Sequence, residues 1–566
     1  MTNQLPRNPI VWKILAKLLV KHEQLSEAEQ CYRRLIEIQP EIAEHYVALG
    51  TLLLEHNASI EAEASYRRAV ALNPDSAEVH GLLTSLLINQ QRFTEAEVAC
   101  RRSLALNPRS AATEKKLGYI LHQTGRNLEA AQAYRRALTI DPIDHQIHSL
   151  LLLCLSHDAS IGPQTLFTQH LEFGERVETP HRSHWPRHRN SPYPERRLNI
   201  GFVSADFRDH AVAYFLQPIL VRFADDPALA ASFKLNAFAQ TVREDAITQR
   251  LCGYFEHWTS IESLSDDRLA ETIQLDAIDI LIDLSGHTPG NRLPAFARKP
   301  APIQISWIGY PGTTGLYAMD YFLADRFLLP REQFASQFTE KIIHLPAAFP
   351  FQPSLTAPSV NPLPAFHNGH VTFGSFNRPA KLSPEVIALW SKLLRALPEA
   401  QMILAAMPSD GSSSALLDWF DREGIVRQRL HFHPRSDMQT YLELHRQVDL
   451  CLDAFPYAGA TTTYHALWMG VPTLTLAGNT PAGRDGMTIL NHIGLESFIA
   501  EGQDEFVQRG LHWAKNLNAL AQVRSTLRDR FARSPSGNPS VIADALAVTL
   551  RTMWKRWCAN LPPEAF

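Results

Sequence analysis

A 34-residue repeat in the first quarter of the chain limits its possible folds more than any other feature. Proline and alanine recur at two positions of the repeat, as Pro40, Pro74, Pro108 and Pro142 and as Ala28, Ala62, Ala96 and Ala130. In phase with them come small residues, Ala16, Gly50, Thr84 and Gly118, and an aromatic-or-Cys plus Arg-Arg unit. Residues before proline avoid the α region, so each proline should end a helix. The pattern predicts two-helix units whose small residues allow close packing.

This period and pattern are typical of the tetratricopeptide repeat. Stacked repeats form a superhelix whose concave face usually binds an extended peptide. We therefore expect residues 1–155 to form an all-α repeat domain that recruits a protein or peptide. The alternative is an array that serves only oligomerisation or docking.

Composition limits the remaining possibilities. With 566 residues the chain should hold three or four domains. A net charge of −4 gives no electrostatic case for nucleic acid or membrane as partner. The six cysteines form no CxxC pair, which argues against a zinc site or disulfide framework and fits a reducing compartment. The first residues predict an amphipathic helix rather than a signal peptide, and no run approaches the ~20 apolar residues of a membrane span. We expect a cytoplasmic protein.

The pattern changes to α/β after a connector. Residues 156–196 form this connector, helical at first and then proline-rich and basic, which favours a packed linker over a nucleic-acid site. Buried strands are predicted within 198–207, 277–288 and 302–315 and from Tyr321 on, in a first lobe of residues 197–346. Ligands of open parallel sheets lie beyond the carboxyl ends of strands, so His210, His287 and the loop 309–315 should line one cleft wall.

A second α/β lobe follows a loose, Pro- and Ala-rich hinge at residues 347–369. It occupies residues 370–539 and begins with a strand at 371–376, an exit loop at 377–381 and a helix start at Ser383-Pro384-Glu385. Residues 540–566 are predicted to hold a final amphipathic helix. Two Rossmann-like, doubly wound lobes across a hinge would suit a large two-part ligand.

The stretch 449–472 carries the most specific chemistry. It predicts a strand, a small-residue loop, and a helix, His465 to Met469, that follows Thr461, Thr462 and Thr463. Free N–H groups and the positive end of a helix dipole bind anions, and three hydroxyls could add donors to a diphosphate. The alternative is that Thr461 is simply an N-cap.

Taken together, these stretches resemble the bacterial, tetratricopeptide-bearing form of the O-linked N-acetylglucosamine transferase family. The matching segments are DFRDHA, DILIDLSGHTPGNRLPAFARKPAPIQISWIGYPGTTG, FGSFNRPAKLSP and GATTTYHALWMGVPTLTLAG. The resemblance covers nearly the whole chain and implies two lobes of the glycosyltransferase B type. It also implies transfer of a sugar, typically N-acetylglucosamine, from a UDP-sugar to Ser or Thr of a protein, with inversion at the anomeric carbon.

The resemblance assigns roles residue by residue. Lys381 matches the lysine that contacts the β-phosphate, where a cation stabilises the charge on departing UDP; without the motif it would be an exposed loop lysine. His210 matches an acceptor-side histidine that acts as general base or positions substrate. Tyr441 matches a uracil-contacting ring, or is a core aromatic. The remaining substrate-binding positions implied by the motifs are Gly309, Tyr310, Pro311, Gly312, Thr313, Arg378, Gly459, Thr461, Thr462, Thr463 and His465.

Some positions depart from the family pattern. His465 replaces the acidic residue that holds the ribose hydroxyls, Ala458 and Ala460 replace polar residues, and Asp279 stands where the animal enzymes have a second histidine. No Asp-x-Asp triplet occurs, so we expect no metal or other cofactor, with lysine, helix dipole and hydroxyls holding the diphosphate. The alternative to an active enzyme is a repeat-based binding scaffold whose transferase lobes have decayed.

Overall fold

The computed structural model describes residues 8–240, 244–354, 356–408 and 414–566, of which Ser414 is described by its backbone alone. The chain divides into two compact units, and the boundary falls between Pro142 and Ile143. Residue 355, within the expected hinge, lies outside the described residues.

The first unit is a series of helix pairs, as the repeat predicts. Its helices are α1 Pro9–Lys21, α2 Leu25–Ile38, α3 Ala43–Glu55, α4 Ser59–Leu72, α5 Ala77–Asn89, α6 Phe93–Leu106, α7 Ala111–Gln123 and α8 Asn127–Ile140. The second helix of every pair ends two residues before the repeated proline. The prediction that proline ends these helices is therefore confirmed.

Small residues bring the paired helices into close contact. A Cβ atom on Gly50 would lie 2.8 Å from the ring of Tyr66, and one on Gly118 would lie 2.6 Å from the ring of Tyr134. The four repeated alanines are fully buried. In the third pair Thr84 takes the place of the glycine, and Cys100, which is smaller than tyrosine, takes the place of the tyrosine. At each crossing a smaller residue therefore faces a larger one, or two residues of medium size face each other, as close packing requires.

The second unit begins with two helices, α9 His145–Leu155 and α10 Pro163–Arg182. Its first lobe is a seven-stranded parallel sheet in the order β3-β2-β1-β4-β5-β6-β7. The strands are β1 Leu198–Ser204, β2 Phe233–Ala239, β3 His257–Ser260, β4 Ile280–Asp283, β5 Ile303–Ser306, β6 Tyr321–Ala324 and β7 Lys341–His344. The helices of this lobe are α11 Ala211–Asp225, α12 Pro227–Ser232, α13 Ala246–Cys252, α14 Asp266–Leu275, α15 Leu293–Phe296 and α16 Arg331–Phe334.

The second lobe is a six-stranded parallel sheet in the order β10-β9-β8-β11-β12-β13. After α17 Ala365–Asn368, its strands are β8 Thr372–Ser375, β9 Gln401–Met407, β10 Leu430–Pro434, β11 Leu450–Leu452, β12 Thr473–Leu476 and β13 Ile499–Ala500. Its helices are α18 Pro384–Ala396, α19 Ser414–Arg422, α20 Met438–Leu444, α21 Thr461–Trp468, α22 Asp485–His492, α23 Gln503–Lys515 and α24 Leu517–Ala532. Ser383 caps α18, which confirms the predicted helix start.

The last helix returns to the first lobe. It is α25, Pro539–Cys558, and its buried residues Ile542, Leu546 and Leu550 share one apolar core with β1 and α11. Trp554 donates from its indole N–H to the carbonyl oxygen of Tyr193 at 3.1 Å. The chain therefore crosses between the lobes a second time after α24, which ties the two lobes together at that side.

The predicted fold class, an all-α repeat array followed by two Rossmann-like α/β lobes, is confirmed. Within the described ranges, no helix is both long and apolar enough to cross a bilayer.

Candidate active site

The candidate site lies where loops leave the carboxyl ends of strands from both lobes. Arg378 precedes the 3-10 turn Pro379–Lys381 after β8 and acts electrostatically on His210, which follows β1 of the other lobe. The expected exit loops of the two sheets therefore face one another. Such an edge is where open parallel sheets bind ligands.

Lys381 is held at the centre of this edge. Its ammonium donates to the carbonyl oxygen of Ala458 at 2.6 Å and lies 4.4 Å from the ring centroid of Tyr457. The pKa of Lys381 is lowered to about 8, mainly by burial and also by the charge of Arg378, while Asp485 and Asp453 oppose the shift. The Lys381 side chain is therefore half-buried and fixed by its contacts with Ala458 and Tyr457. It is not the exposed loop lysine of the alternative interpretation.

The threonine helix α21 begins at Thr461, four residues earlier than the sequence predicts. Its N-cap is Ala460, so the interpretation of Thr461 as an N-cap is wrong. The alanine side chain cannot bond the first N–H groups of the helix, so the cap leaves them available to an anion. The first turn of α21 lies close to the Lys381 loop, because Thr462 Oγ1 donates to Asn377 Oδ1 at 3.3 Å.

Not all three threonines are equally available. Thr463 is buried and its hydroxyl donates to the carbonyl oxygen of Gly459 at 2.6 Å, so this hydroxyl is already engaged within the protein. Thr461 and Thr462 are half-buried at the helix start. A Cβ atom on Gly459 would lie 2.3 Å from Thr462 Oγ1, so only glycine fits beside this hydroxyl.

His210 is the N-cap of α11, and this places its ring at the mouth of the first lobe. Nδ1 accepts from the Val212 N–H at 3.3 Å and lies 3.5 Å from a carboxylate oxygen of Asp206. When Nδ1 accepts, the proton of the neutral ring is on Nε2; when Nδ1 donates to Asp206, Nε2 is free to take a proton. Burial lowers the pKa of His210, and the Asp206 charge opposes that shift.

The loop 309–313 is built from inward-facing side chains. Tyr310 is buried and shares a hydrogen bond of 2.9 Å with His170 Nε2, and Thr313 donates to the buried Glu340 at 2.6 Å. A Cβ atom on Gly309 would lie 2.1 Å from the Leu284 carbonyl oxygen. The half-buried parts of the loop are Gly309 and Pro311, whereas Tyr310, Gly312 and Thr313 are buried. Any ligand would therefore meet mainly the backbone of this loop.

Tyr441 and His465 form one aromatic group beside α21. The Tyr441 hydroxyl lies 3.3 Å from His465 Nδ1, and the Tyr441 ring packs edge-on against Phe376 at a centroid distance of 5.4 Å. Burial lowers the pKa of His465 to about 4, so its ring is neutral at pH 7. A neutral ring already bonded to Tyr441 replaces the carboxylate that the family pattern has at this position.

Two polar residues of the first lobe, His287 and Asp279, are buried in its interior. His287 is fully buried, with Nδ1 3.1 Å from Ser149 Oγ and Nε2 3.0 Å from the Thr314 carbonyl oxygen. The expectation that His287 lines an open cleft wall is therefore wrong, because α9 covers it. Asp279 is also buried and accepts hydrogen bonds from Arg196 at 2.6 Å and from the Asn199 N–H at 2.8 Å. It anchors the connector.

Two residues of this edge escaped the sequence analysis. Tyr457 stacks on His157 with ring centroids 4.1 Å apart and supports Lys381. Asp485 is the first residue of α22, and its carboxylate acts on both Lys381 and Tyr457. The small-residue loop that holds Tyr457 is a sequence signal that could have indicated this residue. No local pattern indicates Asp485, which is 104 positions from Lys381.

A cavity of about 660 Å³ lies elsewhere in the second lobe. Thr372, Gln401 and His431 line it, and these residues lie at the amino ends of β8, β9 and β10. It therefore lies at the sheet edge opposite Lys381, and ligands of open parallel sheets bind at the carboxyl edge.

Tetratricopeptide repeats followed by two parallel-sheet lobes, with a basic site at their facing edges, define a repeat-bearing protein of the glycosyltransferase B fold. Two families match the chain: Glycosyl transferase family 41 over residues 137–353 and 355–542, and Tetratricopeptide repeat over 15–77 and 82–144. The chain belongs to glycosyl transferase family 41.

Individual proteins agree with this placement. A solved structure of a lysine-to-methionine mutant of Thermobaculum terrenum O-GlcNAc transferase is 31% identical, with a TM-score of 0.84, and the match covers 92% of this chain and 98% of that one. In Arabidopsis thaliana, the "Probable UDP-N-acetylglucosamine--peptide N-acetylglucosaminyltransferase SPINDLY" is 35% identical over 70% of this chain and 44% of its own length. The corresponding SEC protein is 27% identical over 66% of this chain and 38% of its own. The chain thus spans less than half the length of these curated relatives.

Proposed function

We propose that this chain transfers a sugar, N-acetylglucosamine by preference, from a UDP-sugar to Ser or Thr of proteins that its repeats recruit. The observation that carries the proposal is the joint position of Lys381 and the start of α21. The Lys381 ammonium is bonded at 2.6 Å to Ala458, three residues before the helix begins. A fixed cation beside a helix N-terminus favours a diphosphate and the charge that develops on it as the sugar departs. The names of the relatives from Arabidopsis support the choice of sugar.

The first lobe supplies the acceptor side. A hydroxyl of Ser or Thr attacks the anomeric carbon from the face opposite the diphosphate, so the configuration inverts. His210 takes the hydroxyl proton on Nε2 while Nδ1 faces Asp206, or it positions the hydroxyl by donating from Nε2. Arg378 lies close enough to influence the titration of His210, so its exposed guanidinium joins the two halves of the site.

We further propose that no metal ion takes part. Lys381, Arg378, the start of α21 and its hydroxyls replace a divalent cation at the diphosphate. Each of them is a donor or a positive charge, which is what phosphate oxygens require. Calorimetric titration with UDP in the presence and absence of EDTA tests this. The affinity for UDP should be micromolar and equal in the two conditions. An affinity that EDTA abolishes and Mg²⁺ or Mn²⁺ restores would refute the metal-free proposal. No binding at millimolar UDP would favour the decayed scaffold.

Replacement of Lys381 by Met tests the proposed transfer. K381M keeps most of the side-chain volume but removes the charge, so transfer should fall by at least about a hundredfold while the fold is retained. The measurement is incorporation of labelled sugar from UDP-N-acetylglucosamine into protein, with circular dichroism to verify folding. The matched control is Lys392→Met, at an exposed position of α18, which should leave transfer unchanged. Unaltered turnover by K381M would show that the Lys381 charge is not needed for transfer.

A further inference from the structure

Asp485 is a buried carboxylate on which Lys381 and two other buried carboxylates, Asp453 and Asp325, act electrostatically. Asp453 accepts from the Gly459 and Ala454 N–H groups and from Thr475, at 2.8 to 2.9 Å. Asp325 accepts from two N–H groups of its own loop and from Ala348. Asp485 is 4% exposed, and no described residue donates a hydrogen bond to its buried Oδ1. Most buried polar atoms of native proteins have a hydrogen-bond partner, so an unpaired buried carboxylate oxygen calls for an explanation, and a bound ligand is one.

The cations near Asp485 do not neutralise it by direct contact. Arg484, its neighbour in sequence, donates instead to the carbonyl oxygens of Phe327, Leu328 and Gly478. Lys381 donates to the carbonyl oxygen of Ala458 and, among the described residues, forms no ion pair with Asp485, although the two charges influence each other. The position of Asp485 at the first turn of α22 gives only the partial positive charge of a helix start.

A nucleoside diphosphate at this site would face a charge conflict. Lys381 and the start of α21 attract the phosphates, but ionised Asp485 would repel them in a poorly solvated environment. Protonation resolves the conflict. In the acid form one carboxyl oxygen becomes a carbonyl oxygen, which costs much less to bury than a carboxylate, and the other becomes a hydroxyl donor.

We propose, on the basis of the function proposed above, that Asp485 takes up a proton from solvent when the sugar nucleotide binds and donates a hydrogen bond to a phosphate oxygen. Asp485 is thereby a further donor-binding residue, and it makes the chain's affinity for UDP fall at alkaline pH. The acid remains neutral throughout the reaction and gives its proton back to solvent when UDP leaves.

The electrostatics of the free protein favour this behaviour. The pKa of Asp485 is raised to about 7, mainly by burial and also by the charges of Asp453 and Asp325, while Lys381 opposes the rise. Tyr457 and Tyr464 also face the carboxyl group, and burial keeps both hydroxyls protonated by raising each pKa. Near neutral pH a small further shift, such as an anion supplies, is enough to add the proton.

The test is the infrared difference spectrum that UDP binding produces in the full chain at pH 7.5. The wild type should gain a carboxylic-acid C=O band that shifts in D₂O, and D485N should lack it. The matched control Asp504→Asn, an exposed position of α23, should keep the band. A band that persists in D485N, or no band while calorimetry shows UDP bound, overturns the proposal but not the proposed function. Absence of UDP binding by the wild type overturns both.

Affinity gives an independent readout. The amide of D485N mimics the protonated acid, so wild type and D485N should bind UDP about equally at pH 6, and D485N about fivefold more tightly at pH 8. Asp485→Val removes the donor and should weaken UDP about tenfold at pH 6. Thermal melting of each variant shows that it is folded. Equal dissociation constants of wild type and D485N at both pH values would contradict the proposal.

Discussion

At the scale of the residue, His210 combines a structural and a chemical role that substitution can separate. Asn is a good N-cap, so His210→Asn should retain the stability of the first lobe, whereas His210→Ala should cost about 1 kcal/mol. Both should reduce transfer by about a hundredfold or more if the imidazole is the base. Urea denaturation and sugar incorporation measure the two effects. Full activity of H210N would restrict His210 to capping.

The acid limb of the pH profile provides a second measurement on the same residue. The Asp206 charge raises the pKa of His210, against the lowering by burial. Asp206→Asn should therefore lower that pKa, keep the base form to a lower pH, and move the acid limb of kcat/KM to lower pH. A shift to higher pH would show that His210 does not control this limb.

At the scale of the element, a single hydrogen bond joins α10 to the loop 309–313. His170 donates from Nδ1 to the Leu166 carbonyl oxygen at 2.7 Å, so its Nε2 accepts from the Tyr310 hydroxyl. Tyr310→Phe leaves that buried nitrogen unpaired and should cost about 1–3 kcal/mol of stability. Because the Tyr310 hydroxyl is buried and bonded to His170, UDP affinity should stay unchanged, with Tyr317→Phe as an exposed control. A larger effect on UDP affinity than on the free energy of unfolding would place Tyr310 in the donor pocket.

Sequence and structure agree best where local patterns determine an element. The repeated prolines place the ends of α2 and its counterparts, and the apolar runs of β1 and β4 identify both as buried strands. The sequence does not predict β2, because Lys234 and Asn236 interrupt its apolar run, or β3, because it is a short, partly exposed edge strand. For the site, the motif places Lys381 in the exit loop after β8, where the structure has it, whereas Asp485 approaches Lys381 only through tertiary folding, which local spacing does not encode.

At the scale of the whole molecule, the two units have separate cores and separate proposed roles, recruitment of acceptors by the repeats and UDP binding by the lobes. The cores of the two lobes are formed by residues after Ile143, so a chain that starts there should fold and bind UDP within about twofold of the full-length affinity. Its transfer to proteins of a cell extract should fall at least about tenfold, because tethering by the repeats raises the effective acceptor concentration at the site. The isolated repeats added in trans should not restore labelling, since recruitment requires the covalent link. Equal labelling by both chains would show that the lobes select acceptors on their own, and loss of UDP binding would show that the repeats support the fold of the lobes.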